Sequence, residues 1–235
     1  MTGASSGIGA ATARALAKEG ARVAGGSRHP DVLETDIKLD LDVVDAESSR
    51  RFVEQAVEAL GGLDILINNA GLALGREPFW EASDDDDETV IATNVLGLMR
   101  MTRLCLPHLS DQSHIVNLGS VAGIWSYVGG ASYVASKFAV HGYTRSLRDD
   151  LQGRPIRVSN VAPGIVETNF SRVRFKGDEE KAAAVYDNVA MGGPVKPEDV
   201  AECILFCLTR PANVNIDELV VMALAQTSGA NILRE

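Results

Sequence analysis

The sequence is poor in aromatic residues and cysteines, has no long hydrophobic run and carries too few positive charges to balance its acids. Its 235 residues contain 22 Lys and Arg against 32 Asp and Glu, a formal net charge of −10. A surface this acidic does not favour binding to a phosphate backbone, so we expect no nucleic-acid partner. The longest apolar runs, such as Val220 to Ala225, are far shorter than the roughly 20 residues of a membrane-spanning helix, so we expect no membrane insertion.

The three cysteines form no metal or redox pattern. Cys105, Cys203 and Cys207 lie in apolar segments without a CxxC pair, which favours packing as small hydrophobic residues. The four histidines have no zinc-ligand spacing, and the run Asp84 to Asp87 lacks the alternation and glycine of a calcium loop, so we predict no metal site. The N-terminal residues lack the features of a signal peptide, and we expect a cytoplasmic protein.

Helix-like and strand-like segments alternate along the chain without repeats or linkers. Apolar spacing predicts helices at 10–19, 46–60, 83–109, 132–151 and 198–208, and strands at 21–26, 37–41, 63–67, 114–118, 156–161 and 219–222. This alternation predicts a single α/β domain over residues 1–235, built on a doubly wound parallel sheet. A polar insertion at about 168–195 follows a late strand and is predicted to form a short substrate lid, although it can also be a solvated excursion.

Two short segments adjoin predicted elements: one rich in glycine precedes the first helix, and one rich in side-chain amides follows the strand 63–67. Thr2-Gly3-x3-Gly7-Ile8-Gly9 directly precedes a helix, where backbone N–H groups can approach a pyrophosphate, although a tight turn also uses Gly and Ser. Asn68-Asn69-Ala70-Gly71 follows the third strand, where two amides can tie neighbouring strands together and a small residue can lie beside a flat ligand. A plain Asn-Gly turn is the alternative.

A phenol, an ammonium and a hydroxyl are predicted to meet in one crevice. Among four tyrosines only Tyr133 has a lysine four residues on, Lys137, and on a helix these two positions share a face. The ammonium is therefore expected to favour phenolate and to lower the pKa of Tyr133. Ser120, thirteen residues earlier, ends a predicted strand. Together these groups suit proton transfer to or from an alcohol or carbonyl oxygen.

These motifs, in this order and spacing, resemble the classical short-chain dehydrogenase/reductase family over nearly the whole chain. The resemblance implies a Rossmann fold and an oxidoreductase that moves hydride between nicotinamide and a carbonyl or secondary-alcohol carbon. It implies that Tyr133 is the general acid or base, that Ser120 binds the substrate oxygen and that Lys137 holds the nicotinamide ribose and lowers the phenol pKa. It also implies that Asn94 interrupts the long helix and holds a water that links Lys137 to solvent.

The resemblance further implies a cofactor site. NAD enzymes of this fold place an acid at the end of the family's second strand, which corresponds to the predicted strand 21–26. Here that position is Ser27, followed by Arg28 and His29, so NADP(H) is preferred over NAD(H). Asp42 and Val43 match the adenine contacts of the family, and the segment from Pro163 to Thr168 matches its nicotinamide contacts. The predicted cofactor-binding residues are Gly3, Ser5, Ser6, Gly7, Ile8, Ser27, Arg28, Asp42, Val43, Asn69, Ala70, Gly71, Tyr133, Lys137, Pro163, Gly164, Val166 and Thr168.

Two departures from the family pattern affect the predicted sheet. No apolar strand precedes Thr2-Gly3, so either the first strand is missing from the sequence or another segment fills its place. Only thirteen residues separate Arg28 from Asp42, so one short turn is expected to replace the usual crossover helix, or residues are absent there too.

The predicted activity is reversible oxidation of a small-molecule alcohol or reduction of its carbonyl, with the substrate unassigned. The segment from Val214 to Met222 resembles the branch that includes hydroxy-acid and serine dehydrogenases and some aldehyde reductases. The alternatives are an NADP(H)-binding redox sensor without turnover, and an epimerase or dehydratase on the same fold. The resemblance also implies a homodimer or homotetramer that packs through the helix containing Met99 and Met101 and the Tyr133 helix.

Overall fold

The computed structural model describes all 235 residues, in which six parallel strands alternate with eight α-helices. The strands are β1 (Ala24–Ser27), β2 (Ile37–Asp40), β3 (Leu63–Asn68), β4 (Leu109–Leu118), β5 (Arg157–Pro163) and β6 (Glu218–Val221). The helices are α1 (Gly7–Lys18), α2 (Ala46–Leu60), α3 (Asp84–Ile91), α4 (Leu98–Cys105), α5 (Ala131–Asp150), α6 (Phe170–Arg174), α7 (Glu179–Ala184) and α8 (Pro197–Leu208). The predicted α/β fold with a parallel sheet is confirmed.

The sheet consists of two hydrogen-bonded parts that meet at the first residues of the chain. β1 pairs with β2, and β3 to β6 pair in chain order. Between them, Thr2 donates its N–H to Ile67 at 3.0 Å on the β3 side, and Gly26 of β1 donates to Met1 at 2.9 Å. Met1 and Thr2 therefore lie where the family pattern places a first strand. β1 reaches β2 through one short 3₁₀ turn at Pro30–Val32, as predicted.

Two hydrophobic clusters cover the two faces of the sheet. One is formed by α1 and α8 with residues such as Leu16, Val200 and Ile204, and the other by α2, α4 and α5 with residues such as Phe52 and Met101. Cys207 and Cys105 are free and buried in these clusters, which confirms their packing as small hydrophobic residues. Met101 is fully buried within the chain, so its side chain is not available for packing against a partner copy.

Local signals explain why most helices begin and end where they do. Helix α2 begins after Asp45, whose side chain accepts a hydrogen bond from Ser48 N at 2.6 Å, and ends at Gly61, whose φ of 82° few other residues adopt. Its bounds are those predicted. The predicted helix 83–109 instead ends at Cys105, because a 3₁₀ turn containing Pro107 follows and leads directly into β4. None of the helices has the length and apolar character that crossing a bilayer requires.

The predicted lid contains two short helices, α6 and α7, after the end of β5. Lys176, between them, pairs with Asp86 at 2.7 Å, which places one member of the acidic run 84–87 in an ion pair across to α3. The other acids of that run lie in the first turn of α3, where the positive end of the helix dipole favours carboxylates.

Candidate active site

One cavity of about 640 Å³ opens at the carboxyl ends of the parallel strands. It runs from the loop before α1, past the ends of β1, β3, β4 and β5, to the lid and the C-terminal segment. Every predicted cofactor-binding residue lines it: Gly3, Ser5, Ser6, Gly7, Ile8, Ser27, Arg28, Asp42, Val43, Asn69, Ala70, Gly71, Tyr133, Lys137, Pro163, Gly164, Val166 and Thr168. Residues that are distant in sequence thus share one crevice, as expected at the carboxyl edge of a doubly wound sheet.

The loop before α1 forms a close-packed cradle of backbone. Gly3 has a φ of +64°, and a Cβ on Gly9 would lie 2.0 Å from the Gly3 carbonyl oxygen, so a side chain fits at neither position. The Asn69 amide donates to the carbonyls of Thr2 at 3.1 Å and Gly3 at 2.8 Å, which holds the loop against the end of β3. The first turn of α1 contains no acidic residue, so its positive end faces the cavity uncompensated.

A buried chain of amides and hydroxyls, which we call the core amide chain, joins the sheet to α4 and α5. Asn68 donates to Thr102 Oγ1 and Asn117 Oδ1, both at 2.9 Å, and Asn117 donates to Thr144 Oγ1 at 3.0 Å. The core amide chain consists of these four residues. The prediction that the paired asparagines tie neighbouring strands is confirmed, because Asn68 of β3 bonds directly to Asn117 of β4.

Ser120, Tyr133 and Lys137 meet at the floor of the cavity. Ser120 follows β4, and its hydroxyl accepts from Ala122 N at 3.1 Å and donates to Pro163 O at 3.4 Å. Tyr133 lies in the first turn of α5 and Lys137 one turn later, with its Nζ 5.8 Å from the centre of the Tyr133 ring. Lys137 donates to Leu118 O at 2.7 Å. The predicted juxtaposition of the three groups is therefore present.

The pKa of Tyr133 beside Lys137 is raised, whereas the sequence predicted that it is lowered. Burial raises the pKa of Tyr133 well above its ordinary value of 10.0, and interaction with the Ser120 hydroxyl opposes this only in part. Burial also lowers the pKa of Lys137 to about 8. The expected lowering of the phenol pKa is not present in this structure, because burial has the largest effect on Tyr133 and the Lys137 ammonium donates to the Leu118 carbonyl oxygen. Tyr133 is consequently a neutral phenol at pH 7.

Asn94 lies beneath the cavity. It lies in a π-helical turn, Ala92–Gly97, that separates α3 from α4, so the predicted interruption of the long helix is confirmed. Its side chain accepts from Leu72 N at 2.8 Å and donates to Leu72 O at 2.8 Å and Ser136 Oγ at 3.0 Å. Both amide hydrogens are thus used within the protein. The side chain connects the loop that follows β3 to helix α5.

The end of β1 presents a cation and no acid. Arg28 is exposed and pairs with no carboxylate, while Ser27 is buried and its hydroxyl accepts from His29 N at 3.1 Å. Asp42, across the cavity, accepts from Val44 N at 3.0 Å with one carboxylate oxygen. The predicted arrangement of a guanidinium without a neighbouring carboxylate at this end of the cavity is therefore present.

Sequence reasoning missed several residues of the cavity. Arg76, Arg174, Gln226 and Arg234 all line it, and Gln226 accepts from Ile165 N at 2.8 Å. Nothing in their local sequence marks them, since they lie in loops, a one-turn helix and an irregular C-terminal segment. Aromatic and apolar residues of the predicted lid also line the cavity, together with Tyr127: Phe170, Val173, Phe175 and Tyr186. Trp125 does not line the cavity, and its side chain is exposed.

A doubly wound parallel sheet, a glycine cradle before the first helix and a Ser, Tyr and Lys group beside it define a dinucleotide-dependent oxidoreductase. Residues 1–179 match the family described as short chain dehydrogenase. The chain belongs to that family.

Full-length relatives and solved structures agree with this assignment. The NADP-dependent 3-hydroxy acid dehydrogenase YdfG of Salmonella typhi is 41% identical over 97% of this chain and 95% of its own length. The NADP-dependent 3-hydroxy acid dehydrogenase of Schizosaccharomyces pombe is 41% identical over 100% of this chain and 95% of its own. The closed form of serine dehydrogenase complexed with NADP⁺ superposes with a TM-score of 0.90 at 40% identity, covering 100% of this chain and 98% of the other.

Proposed function

We propose that the protein transfers hydride between NADP(H) and the carbonyl or secondary-alcohol carbon of a small hydroxy acid. The observation that carries this is the half-buried Tyr133 phenol with the Ser120 hydroxyl beside it, at the floor of a cavity continuous with the glycine cradle. The names of the relatives, which specify 3-hydroxy acids and serine, support the hydroxy-acid class.

The cavity fits a phosphorylated dinucleotide. The cradle from Gly3 to Gly9 leaves room only for backbone, which suits a pyrophosphate at the positive end of α1. At the far end Arg28 and His29 would hold a 2′-phosphate, since no carboxylate ends β1 to bind the 2′-hydroxyl of NAD. Asp42 and Val43 would contact the adenine, and the segment from Pro163 to Thr168 the nicotinamide. The NADP-dependent names of the relatives support the same cofactor.

The bound cofactor would supply hydride to the carbonyl carbon in reduction and accept it in oxidation. In reduction Tyr133 donates its phenolic proton to the substrate oxygen, which forms the new O–H bond and leaves a phenolate. In oxidation the phenolate takes the hydroxyl proton back. The raised pKa of Tyr133 keeps the proton on the phenol before reduction, as a general acid requires.

Ser120 and Lys137 position the reacting groups. Ser120 would donate to the same substrate oxygen, since its hydroxyl lies beside the phenol and has only a long bond to Pro163 O. Lys137 would hold the ribose hydroxyls with the ammonium protons that Leu118 O does not take. A water near Asn94 would return the proton from solvent by way of Lys137.

Substitution of Tyr133 tests this mechanism. Tyr133→Phe removes only the hydroxyl, so NADPH binding should persist while turnover falls by about 10²- to 10⁴-fold. The assay follows NADPH absorbance with 3-oxo acids, ketones and aldehydes, and NADP⁺ with 3-hydroxy acids. Unchanged turnover in the variant would refute the role of Tyr133. Stabilisation of the wild type by NADPH with no turnover of any substrate would instead indicate a redox sensor.

We further propose a homodimer or homotetramer acting in the cytoplasm. Leu96, beside α4, and Phe138, on α5, are 52% and 47% exposed, so both helices carry apolar side chains that the chain itself leaves uncovered. The three free cysteines suit a reducing compartment. Light scattering measures the assembly, and a strictly monomeric mass would contradict it.

A further inference from the structure

The basic side chains of the lid differ in how their charges are compensated. Arg172 pairs with Glu179 at 2.7 Å, Lys176 with Asp86 at 2.7 Å and Lys181 with Asp178 at 3.2 Å. Arg174 has no carboxylate partner, although the protein carries 32 acidic residues against 22 basic ones. Among the basic side chains of the predicted lid, Arg174 is therefore the one without an ion pair.

Neutral oxygens hold Arg174 in a defined orientation. Its Nε donates to Gly75 O at 2.9 Å, one Nη to Tyr127 Oη at 2.9 Å and the other to Gly129 O at 3.0 Å. A guanidinium has five N–H donors, so two remain for a ligand. The side chain is half-buried and lines the cavity. Its position is thus set by the protein while its charge stays available.

Arg76 adds a second charge beside the same tyrosine. The centre of the Tyr127 ring lies 5.9 Å from the Arg76 guanidinium carbon and 5.3 Å from that of Arg174. Arg76 is exposed and its guanidinium makes no hydrogen bond within the protein, since the neighbouring Glu77 carboxylate accepts from the Arg76 backbone N–H and not from its side chain. Asp42 is the one acidic side chain that lines the cavity, and it lies at the end of β2. The lid end of the cavity therefore contains cations and no anions.

This cationic end lies next to the reacting groups. Arg174 is close enough to Tyr133 that its charge contributes to lowering the phenol pKa, against the larger effect of burial. The Phe170 ring packs against the Tyr133 ring with centres 5.5 Å apart, so an apolar wall lies beside the phenol. A substrate whose oxygen lies at Tyr133 and Ser120 would extend toward Arg174.

We propose that Arg174, assisted by Arg76, binds the carboxylate of the substrate and thereby makes the enzyme specific for hydroxy acids over neutral alcohols. The proposal rests on the function proposed above. The two remaining N–H groups, one on each Nη of this guanidinium, can donate to a carboxylate, and such charge-assisted bonds are stronger than neutral ones. Both arginines act as specificity-determining residues, since neither is required for the proton transfer.

The test compares a charged substrate with its neutral counterpart. Oxidation of 3-hydroxybutyrate and of its methyl ester is measured with NADP⁺ in the wild type, R174Q, R76Q and the matched control R172Q, whose side chain pairs with Glu179 outside the cavity. R174Q should lower kcat/KM for the acid by about 10- to 100-fold and leave that for the ester within about twofold, as expected when a bond to a charged group is lost. R76Q should give a smaller loss on the acid alone, and R172Q no loss.

Equal losses on both substrates in R174Q would show that Arg174 only supports the lid, and would overturn the proposal. If R174Q does not fold, R76Q decides, because its guanidinium has no hydrogen bond within the protein to lose. If the wild type turns over neither this pair nor any other substrate in the assay of the proposed function, that function fails, and carboxylate binding is judged separately by thermal shift. Butyrate should then stabilise the NADP⁺-saturated wild type and R172Q but not R174Q. No stabilisation of the wild type would overturn the proposal.

Discussion

Replacement of Gly9 by alanine should weaken cofactor binding strongly while it lowers the free energy of unfolding only modestly. The new Cβ would lie 2.0 Å from the Gly3 carbonyl oxygen and 2.6 Å from Asn69 Nδ2, and both are fixed by the hydrogen bond that joins them. The loop before α1 must therefore shift to relieve the contact. Because the residues of this loop line the cavity, the shift should misplace the groups that would bind a pyrophosphate.

Opposing effects determine the expected magnitudes. Overpacking costs about 1–3 kcal/mol in the free energy of unfolding, whereas alanine at a helical position regains about 1 kcal/mol over glycine. The net loss of stability should therefore not exceed about 2 kcal/mol. Loss of two hydrogen bonds to a charged phosphate, at about 1.5 kcal/mol each, raises the Kd for NADP⁺ about 100-fold.

The assay pairs calorimetric titration of NADP⁺ with urea denaturation of the free protein. The control is Gly142→Ala on α5, where a Cβ meets no atom within 4 Å, and which should stabilise the fold by about 0.5–1 kcal/mol without changing the Kd. If Gly9→Ala binds NADP⁺ as tightly as the wild type, the cradle is not the pyrophosphate site.

Three further perturbations test other parts of the site. Asn94→Ala leaves the N–H and carbonyl of Leu72 without partners, and should cost about 1–3 kcal/mol of stability in urea denaturation. Arg28→Gln should weaken NADPH binding about tenfold or more and leave NADH unaffected, as compared by the two KM values. NADPH affinity should fall as pH rises through about 8, where Lys137 loses its proton, and a Lys137→Gln variant should lack this dependence. If the Lys137→Gln variant kept the wild-type pH dependence of NADPH affinity, Lys137 would not be the group whose proton loss weakens binding.

The same pKa shift of Lys137 has a consequence for stability. Its pKa is about 8 in the folded protein against 10.5 without burial. Between these values the unfolded chain binds more protons, so this group makes folding more favourable as pH rises through that window. Below pH 8 the buried ammonium is a cost to the fold.

Features encoded within a few neighbouring residues were predictable from the sequence. The bounds of α2 follow from an Asp cap and a terminal glycine, and the cofactor-lining residues follow from glycine and amide motifs at fixed distances from strands. Features that depend on tertiary packing were not. The first residues of β4, 109–113, are mostly polar and show no apolar alternation, although they extend the strand. The spacing of Tyr133 and Lys137 places them together, but only their burial determines which way each pKa moves.

The cationic end of the cavity is a further feature that could not be predicted from local sequence. Arg174 and Arg172 lie two residues apart on one short helix, yet one faces the cavity and the other pairs with Glu179. No local pattern distinguishes them, because the difference arises from loop carbonyls at Gly75 and Gly129, which are distant in sequence.

The core amide chain has a consequence for the precision of the site. Apolar packing specifies which face of α5 meets the sheet, but it tolerates small displacements along the helix axis. The hydrogen bond from Asn117 to Thr144 does not tolerate such displacements, because a shifted hydroxyl would leave the buried Asn117 amide without its acceptor. Asn117 lies in β4, three residues before Ser120, which follows that strand, and Thr144 lies on α5, the helix that carries Tyr133. This hydrogen bond and the bond from Lys137 to Leu118 O together restrain α5 against β4, and so restrain the separation between the hydroxyl and the phenol that must meet the same substrate oxygen.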